Sequence, residues 1–489
     1  MHRAKAVPVT QADIHVAAAL IGETYDLAGP CIISIRDGVI SGIEQTTLIP
    51  HRQMLAIPSL VDAHNHGRPL STTSFGCGGK PLELWLPQLA TIPSVDPYTA
   101  AAASFSRSLK GGATAIMVHL TRAMGLTTLP EEAREIARAA RDVGVHIGFA
   151  ISMRDRNPLI YGDHQQVLKT LSSEQRQLVE DTWLAPLPAI QDQLDLVDAV
   201  ADAVADASDY VNVQYGPTGV QWCSDELLAA IADRSRQTGR HVHMHLLETQ
   251  PQRQWADQTY PDGIVNKLAD LGLLSPRLTL AHCVWARPDE LKQIARHSAR
   301  IAVNVSSNLH LYSGIADVRA MLGAGINVGM GLDGCALDED DDGLRELRLF
   351  HLLNHSRGFQ EDGLDWVQAL RCACANGRHS VGLGPGGYLA PGMPADLLCL
   401  DLQALNRDGI MDVDPRQLLF ARGTRAHITD IYAKGRKIVE NGTVSGVAAD
   451  DLEQELRQTF RAALADKAVL REAWPHIEPA ISEHYKGCC

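Results

Sequence analysis

Two histidines one residue apart, His64 and His66, close the stretch SLVDAHNH. Along a strand, residues two apart face the same way, so both imidazoles would converge at its end while Asn65 turns aside. Converging imidazoles suit a divalent metal ion, zinc above all. Two unrelated polar residues in a loop are the plainer alternative. Further along, HVHMHLLET puts His241, His243 and His245 on one face, with Glu248 three residues beyond His245. LAHC carries His282, and GMGLDG holds Asp333, with Gly329 and Gly331 on the same face and leaving space beside it. A lone histidine at a strand end is as readily a hydrogen-bonded loop residue. Five such groups from four apolar runs, all able to bind metal or move protons, are harder to dismiss.

Those runs belong to a longer pattern. AIPSLVDAH, ATAIMVHL, VHIGFAIS, YVNVQYG, HVHMHLL, LTLAHCV, RIAVNV and INVGMGLD read as strands. Helical stretches such as PEEAREIARAARDVG and SDELLAAIADRSRQTG lie between most of them. Eight strands alternating with helices over residues 57–385 predict a parallel (β/α)8 TIM barrel with loop insertions. A doubly wound open sheet is the competitor, since alternation does not decide closure. In a barrel, chemistry gathers at the C-terminal strand ends, where these polar groups fall. Residues 1–56 and 386–446 read as short strands with Gly and Pro turns and are expected to pair into a small β-sandwich. Residues 447–489 are expected to form a helical tail packed on the outside.

The bulk numbers narrow the classes. A chain of 489 residues, 45% apolar and 21% charged, is ordinary for a globular protein of two or three units. No apolar run is long enough for a membrane span. The start, MHRAKAVPVTQADIHV, lacks the pattern of a secretory signal. A net charge of −14 argues against non-specific nucleic-acid binding. Ten cysteines without an export signal read as reduced thiols. The expectation is a cytoplasmic protein acting on a small molecule, with no nucleic-acid or membrane partner, and assembling as a homodimer.

HNH after strand one, HLLE after strand five, AHC after strand six and LDG after strand eight together resemble the amidohydrolase superfamily. The closer likeness is to its cytosine deaminase, S-adenosylhomocysteine deaminase and triazine chlorohydrolase branch. SSNLHLYSGIADV is similar to that branch's segment after strand seven, and GMPADLLCLD and IYAKGRKIVENG to its closing β-sandwich segments. The resemblance implies that His64, His66, His245 and Asp333 bind the metal, and that Glu248, His282 and Asp333 serve catalysis. Many binuclear members use a lysine on strand four. Here that strand, YVNVQYGP, has Gln214 and Tyr215 near its end, so one ion is expected, zinc first and iron second. His243 is assigned a buried supporting role one layer below His245.

On this reading, metal-activated water attacks an electrophilic carbon and Glu248 supplies the proton. Hydrolytic deamination of a nitrogen heterocycle is the leading expectation. Cleavage of an amide, urea or carbamate, or displacement of chloride or an alkylamine, would use the same site. A non-catalytic relative would be expected to have lost ligands, and all four are present. Arg68 either meets an anionic substrate group or ties down a loop, the second being commoner. His119 either lines the pocket or is a satisfied barrel histidine. Phe75, Glu83 and Trp85 are candidates to cover the pocket. The acidic run DEDDD, residues 338–342, reads as the start of a helix favoured by its dipole rather than a second metal site. Related deaminases often carry a serine shortly after the strand-eight Asp, whereas Cys335, Ala336 and Leu337 follow here.

Overall fold

The computed structural model describes residues 11–334, 339–356, 358–359 and 362–486. Eight parallel strands follow one another around one sheet: β1 (Leu60–Asn65), β2 (Ala113–Leu120), β3 (His146–Met153), β4 (Val211–Pro217), β5 (Val242–Leu246), β6 (Leu278–His282), β7 (Arg300–Val303) and β8 (Val328–Met330). Their order in the sheet is their order in the chain. The last meets the first through backbone bonds just past β8: the Leu332 and Asp333 amides both donate to the His64 carbonyl, at 3.2 and 2.7 Å. This closure makes a (β/α)8 barrel and excludes the open doubly wound sheet.

Glycine permits it. A Cβ on Gly331 would come within 2.3 Å of Asn304 Oδ1 and 2.8 Å of the His64 nitrogen. The space expected beside Asp333 is therefore filled by the backbone of β1, which needs the close approach.

The helices follow their local signals. In the helix Leu129–Val143, Glu131 reaches back to the Thr128 amide at 3.0 Å, and Gly144 ends it at φ 93°. Its Ala133, Ile136, Ala137 and Ala140 face is buried in the core shared with the barrel.

A seven-stranded sheet joins both ends of the chain. Its strand Leu397–Asp401 lies between Met54–Pro58 and Ile428–Ala433, antiparallel to each. A three-stranded sheet built on Cys31–Arg36 packs with it around Val16, Ile33, Ile35 and Leu397. The apolar run AIPSLVDAH is thus divided at Ser59 between two sheets. The C-terminal helices Ala449–Ala463 and Ala468–Lys486 lie against the barrel, the second through Trp474, Ile477 and Ile481. These three pack with Leu159, Ile160, Val167 and Leu168 from the long segment after β3. Among the described residues seven cysteines are buried and unpaired, and no helix is long and apolar enough to cross a membrane.

Candidate active site

At the C-terminal end of the barrel, four histidines and one aspartate meet. His64 and His66, at the end of β1, point their Nε2 atoms at Asp333 Oδ1, 3.3 and 3.1 Å away. His245, near the end of β5, brings its Nε2 within 3.3 Å of His66 Nε2. The other ring nitrogens fix the tautomers. His66 Nδ1–H donates to the His119 carbonyl and His245 Nδ1–H to the Thr218 carbonyl, each at 2.7 Å. Two Nε2 lone pairs therefore face one another, an arrangement that a cation between them relieves. Both nitrogens of His64, Asp333 Oδ1 and His282 Nε2 are buried without a hydrogen-bond partner. Such orphaned polar atoms are rare unless something else binds them.

The charge state agrees. Burial holds His64 down to about 3, and also lowers His66 and His245. Burial would raise Asp333, but its contacts with His64 and His66 outweigh this and keep it well below the usual carboxylate range. Neutral imidazoles beside an ionised carboxylate fit a divalent ion. The ligand atoms of His64, His66 and His245 lie within 4.8 Å of one another, as do those of His64, His282 and Asp333. Geometry alone thus admits His282 to the cluster. His243 lies below it, stacked on His64 at 4.9 Å and donating to the Ala63 carbonyl at 3.3 Å.

Glu248 and His282 flank the cluster. His282 Nε2 stands 3.7 Å from Glu248 Oε2 and 4.0 Å from Asp333 Oδ2. Its Nδ1 has Asn308 Oδ1 at 2.8 Å and Asn304 Nδ2 at 3.3 Å; the closer acceptor assigns the proton to Nδ1. Burial pushes Glu248 up to about 7, with the Asp333 and Glu83 charges adding to it and His282 opposing. The backbone is bent to deliver these groups. Leu247, His282, Cys283 and Asp333 all have φ between 46 and 73°, a region costing non-glycine residues about 1–3 kcal/mol each.

One segment after β7 fastens three of these residues, and sequence reasoning used it only as part of a resemblance. Ser307 Oγ donates to Asp333 Oδ2 at 2.6 Å, Asn308 holds His282, and Ser313 Oγ donates to Glu248 Oε1 at 3.2 Å. Glu346 anchors the same turn by accepting from the Ser306 amide at 3.1 Å and from its hydroxyl. The signal was present in its run of Ser and Asn directly after an apolar strand.

The remaining candidates separate. Arg68 donates to the Asp333 carbonyl at 2.7 Å and lies over the Trp85 ring at 4.6 Å. Both residues line the site, and Trp85 Nε1 is held by Thr72 at 3.2 Å. His119 donates to the Gly216 carbonyl at 3.1 Å behind the cluster and is not in its wall. Phe75 packs edge-on against Phe460 at 5.0 Å and behind Leu82 and Trp85, and does not itself line the site. Glu83 accepts from Thr249 and Tyr161 and lines an adjoining cavity. Gln214 bonds the Ser380 carbonyl at 2.8 Å, so β4 sends no ligand. In the acidic run, Asp342 caps the helix Gly343–Leu353 by accepting from the Arg345 amide at 3.1 Å. Glu339 instead receives the Thr72 amide at 3.0 Å, and Asp341 the Ser108 hydroxyl at 2.8 Å. Those two acids anchor loops. Residues 335–338, including Cys335, Ala336 and Leu337, lie outside the described residues.

A 5′-deoxyadenosine deaminase of Methanosarcina barkeri is 32% identical over 224 residues, 46% of this chain and 52% of that protein. The chain thus spans about half the length of the first such relatives, while a 5′-deoxyadenosine deaminase of Methanothermobacter thermautotrophicus matches at 25% over 88% of this chain and 94% of its own. An adenosine deaminase of Xanthomonas campestris, solved with bound zinc, superposes with a TM-score of 0.75 at 21% identity, covering 93% of this chain and 98% of its own. At that identity the likeness speaks for the fold alone. The amidohydrolase family model matches residues 55–448, from the strand Met54–Pro58 through the barrel and the closing sheet, and the chain belongs to that family.

Proposed function

We propose that this chain is a metal-dependent aminohydrolase that releases ammonia from an aminated nitrogen heterocycle. The observation that carries the reading is Glu248: a buried carboxyl pushed up to about 7, beside a histidine and aspartate cluster at the mouth of the barrel. A general acid works best with a pKa near the operating pH. The deaminase names of the relatives support the same chemistry. His64, His66, His245 and Asp333 would hold one divalent ion, zinc before iron, a choice supported by the zinc in the Xanthomonas structure. When bound, such an ion acidifies water toward neutrality and polarises the reacting carbon.

The chain's own groups divide the remaining work. Asp333 turns Oδ1 toward His64 and His66, and offers Oδ2, already steadied by Ser307, to the proton leaving the attacking water. His282, with its proton assigned to Nδ1, presents an Nε2 lone pair between Asp333 and Glu248 and orients that water. Glu248 protonates the ring nitrogen, which makes the adjacent carbon attackable. The proton that Asp333 takes from the water leaves with the amine as ammonia, and the added hydroxyl returns a proton to Glu248 as the carbonyl forms. Cytoplasmic location and homodimerisation belong to the same proposal and rest on the sequence alone. The test is incubation of the metal-loaded protein with aminated pyrimidines, purines and triazines alongside amides, ureas and carbamates. Ammonia from a ring is expected; cleavage confined to the ureas, amides or carbamates would overturn the reading.

A further inference from the structure

One cavity, about 670 Å³, lies away from the chemistry and its cations are already engaged: Arg378 pairs with Asp396 at 3.1 Å, Lys434 reaches the Asp209 carbonyl at 3.0 Å and Arg436 the Tyr210 hydroxyl at 3.0 Å. A second cavity, about 330 Å³, differs on both counts. It shares Leu86, Thr121, Thr218 and Trp222 with the walls of the metal cluster, so it adjoins the place where the reacting atoms would sit. Its outer walls come from the segment after β3 and from the C-terminal tail, through Lys467 in the turn between its two helices and Tyr485 in the second.

Three cations line this cavity, Arg122, Arg154 and Lys467, against one carboxyl, Glu83. Burial raises the pKa of Glu83, and it is engaged by Thr249 and Tyr161. Arg122 spends its guanidinium on the Leu89 and Ile92 carbonyls, at 3.0 and 2.8 Å. Arg154 is different. Gln193 clamps its backbone from both sides, at 2.9 and 3.2 Å, yet its guanidinium has no hydrogen-bond or ion-pair partner among the described residues. Lys467 likewise has no acidic partner among them. A half-buried guanidinium is costly to keep without an anion, and its planar fork matches an oxyanion.

We propose that this cavity is an oxyanion-binding subsite: the substrate carries a carboxylate or phosphate that Arg154 grips, with Lys467 adding charge from the tail. This deepens the deaminase reading and rests on it. The metal-loaded protein would be titrated with two matched sets, 6-aminonicotinate with 6-aminonicotinamide, and adenosine 5′-carboxylate and 5′-monophosphate with adenosine 5′-carboxamide. Quenching of Trp183 and Trp222, which line the cavity, reports binding. The anionic member should bind about 10–100-fold more tightly than its amide, as for a charged hydrogen bond. Arg154→Met should abolish that preference without weakening the amide. Arg154→Lys should keep part of it, Lys467→Met should reduce it, and added salt should erode it. Equal binding of anion and amide, binding of neither set, or a preference that survives Arg154→Met would overturn the subsite. Anion-selective binding without ammonia from any probe would uphold the subsite and count against the deaminase reading.

Discussion

Replacing Glu248 by glutamine keeps its size and an acceptor for Ser313, and removes only its ability to give up a proton. A carboxyl at about 7 is half protonated at pH 7, whereas at its ordinary 4.5 about one molecule in 300 would be. Burial therefore enriches the acid form roughly 150-fold at neutrality. The variant forfeits this entirely, and a positioned general acid contributes about 10²–10⁴-fold. Glu248→Gln should lower kcat by that factor while metal content and thermal stability stay near those of the parent. The pH profile carries the sign. In the parent, the acid form is lost as pH rises through about 7, so activity falls on the alkaline side. A bound cation beside Asp333 draws the carboxyl down and moves this limb to lower pH. The variant should lack it. Ammonia release across pH 5–9, with elemental analysis of the same samples, measures both effects. A loss below tenfold, or an alkaline limb unchanged in the variant, would refute the assignment.

Elemental analysis should find about one divalent ion per chain, and His245→Ala should lose it while His243→Ala keeps it; two ions both needed for activity, or the reverse mutant pattern, would reassign the ligands. Gly331→Ala should destabilise the protein by about 1–3 kcal/mol or more in denaturant titration, because the new methyl meets Asn304 and the His64 backbone at less than 3 Å; an unchanged midpoint would show that the closure tolerates side chains. Burial raises Glu346 to about 7, so its contribution to stability is fully present below 4.5 and is lost as pH rises through 7. Glu346→Gln should therefore match the parent near pH 5 and exceed it at pH 8 by up to about 3 kcal/mol, and parallel pH slopes in the two proteins would contradict this.

The barrel was legible because its signals are local. Alternating apolar runs, capped helices and histidines at strand ends all fall within a few residues of one another. Four features were hidden for the opposite reason. Trp474 and Ile477 meet Leu159 and Ile160 across some 300 positions, so no periodicity could announce that the tail helps wall the cavity. Gly331 looked like room for a ligand because a sequence does not say whose backbone fills the gap. DEDDD looked uniform, yet its acids serve separate tasks, Asp342 on a helix and Glu339 and Asp341 on loops. Phe75 and Trp85 were equal candidates by composition, and only the tertiary packing sends one to the site and the other to Phe460.

The sheet that joins both chain ends sets an order of events during synthesis. Met54–Pro58 pairs with Leu397–Asp401, so about 340 residues must be made before this strand finds that partner. At roughly 5–20 residues per second this takes about 20–70 s. The barrel closes earlier, once Leu332 and Asp333 can reach His64. Through that interval a nascent chain carries a closed or closing barrel beside an apolar strand edge with nothing to cover it. Such an edge invites pairing with other chains, and the last helices to emerge are those that wall the cavity. Yield in the cell should therefore depend on holding the chain apart from its neighbours until its final segments arrive.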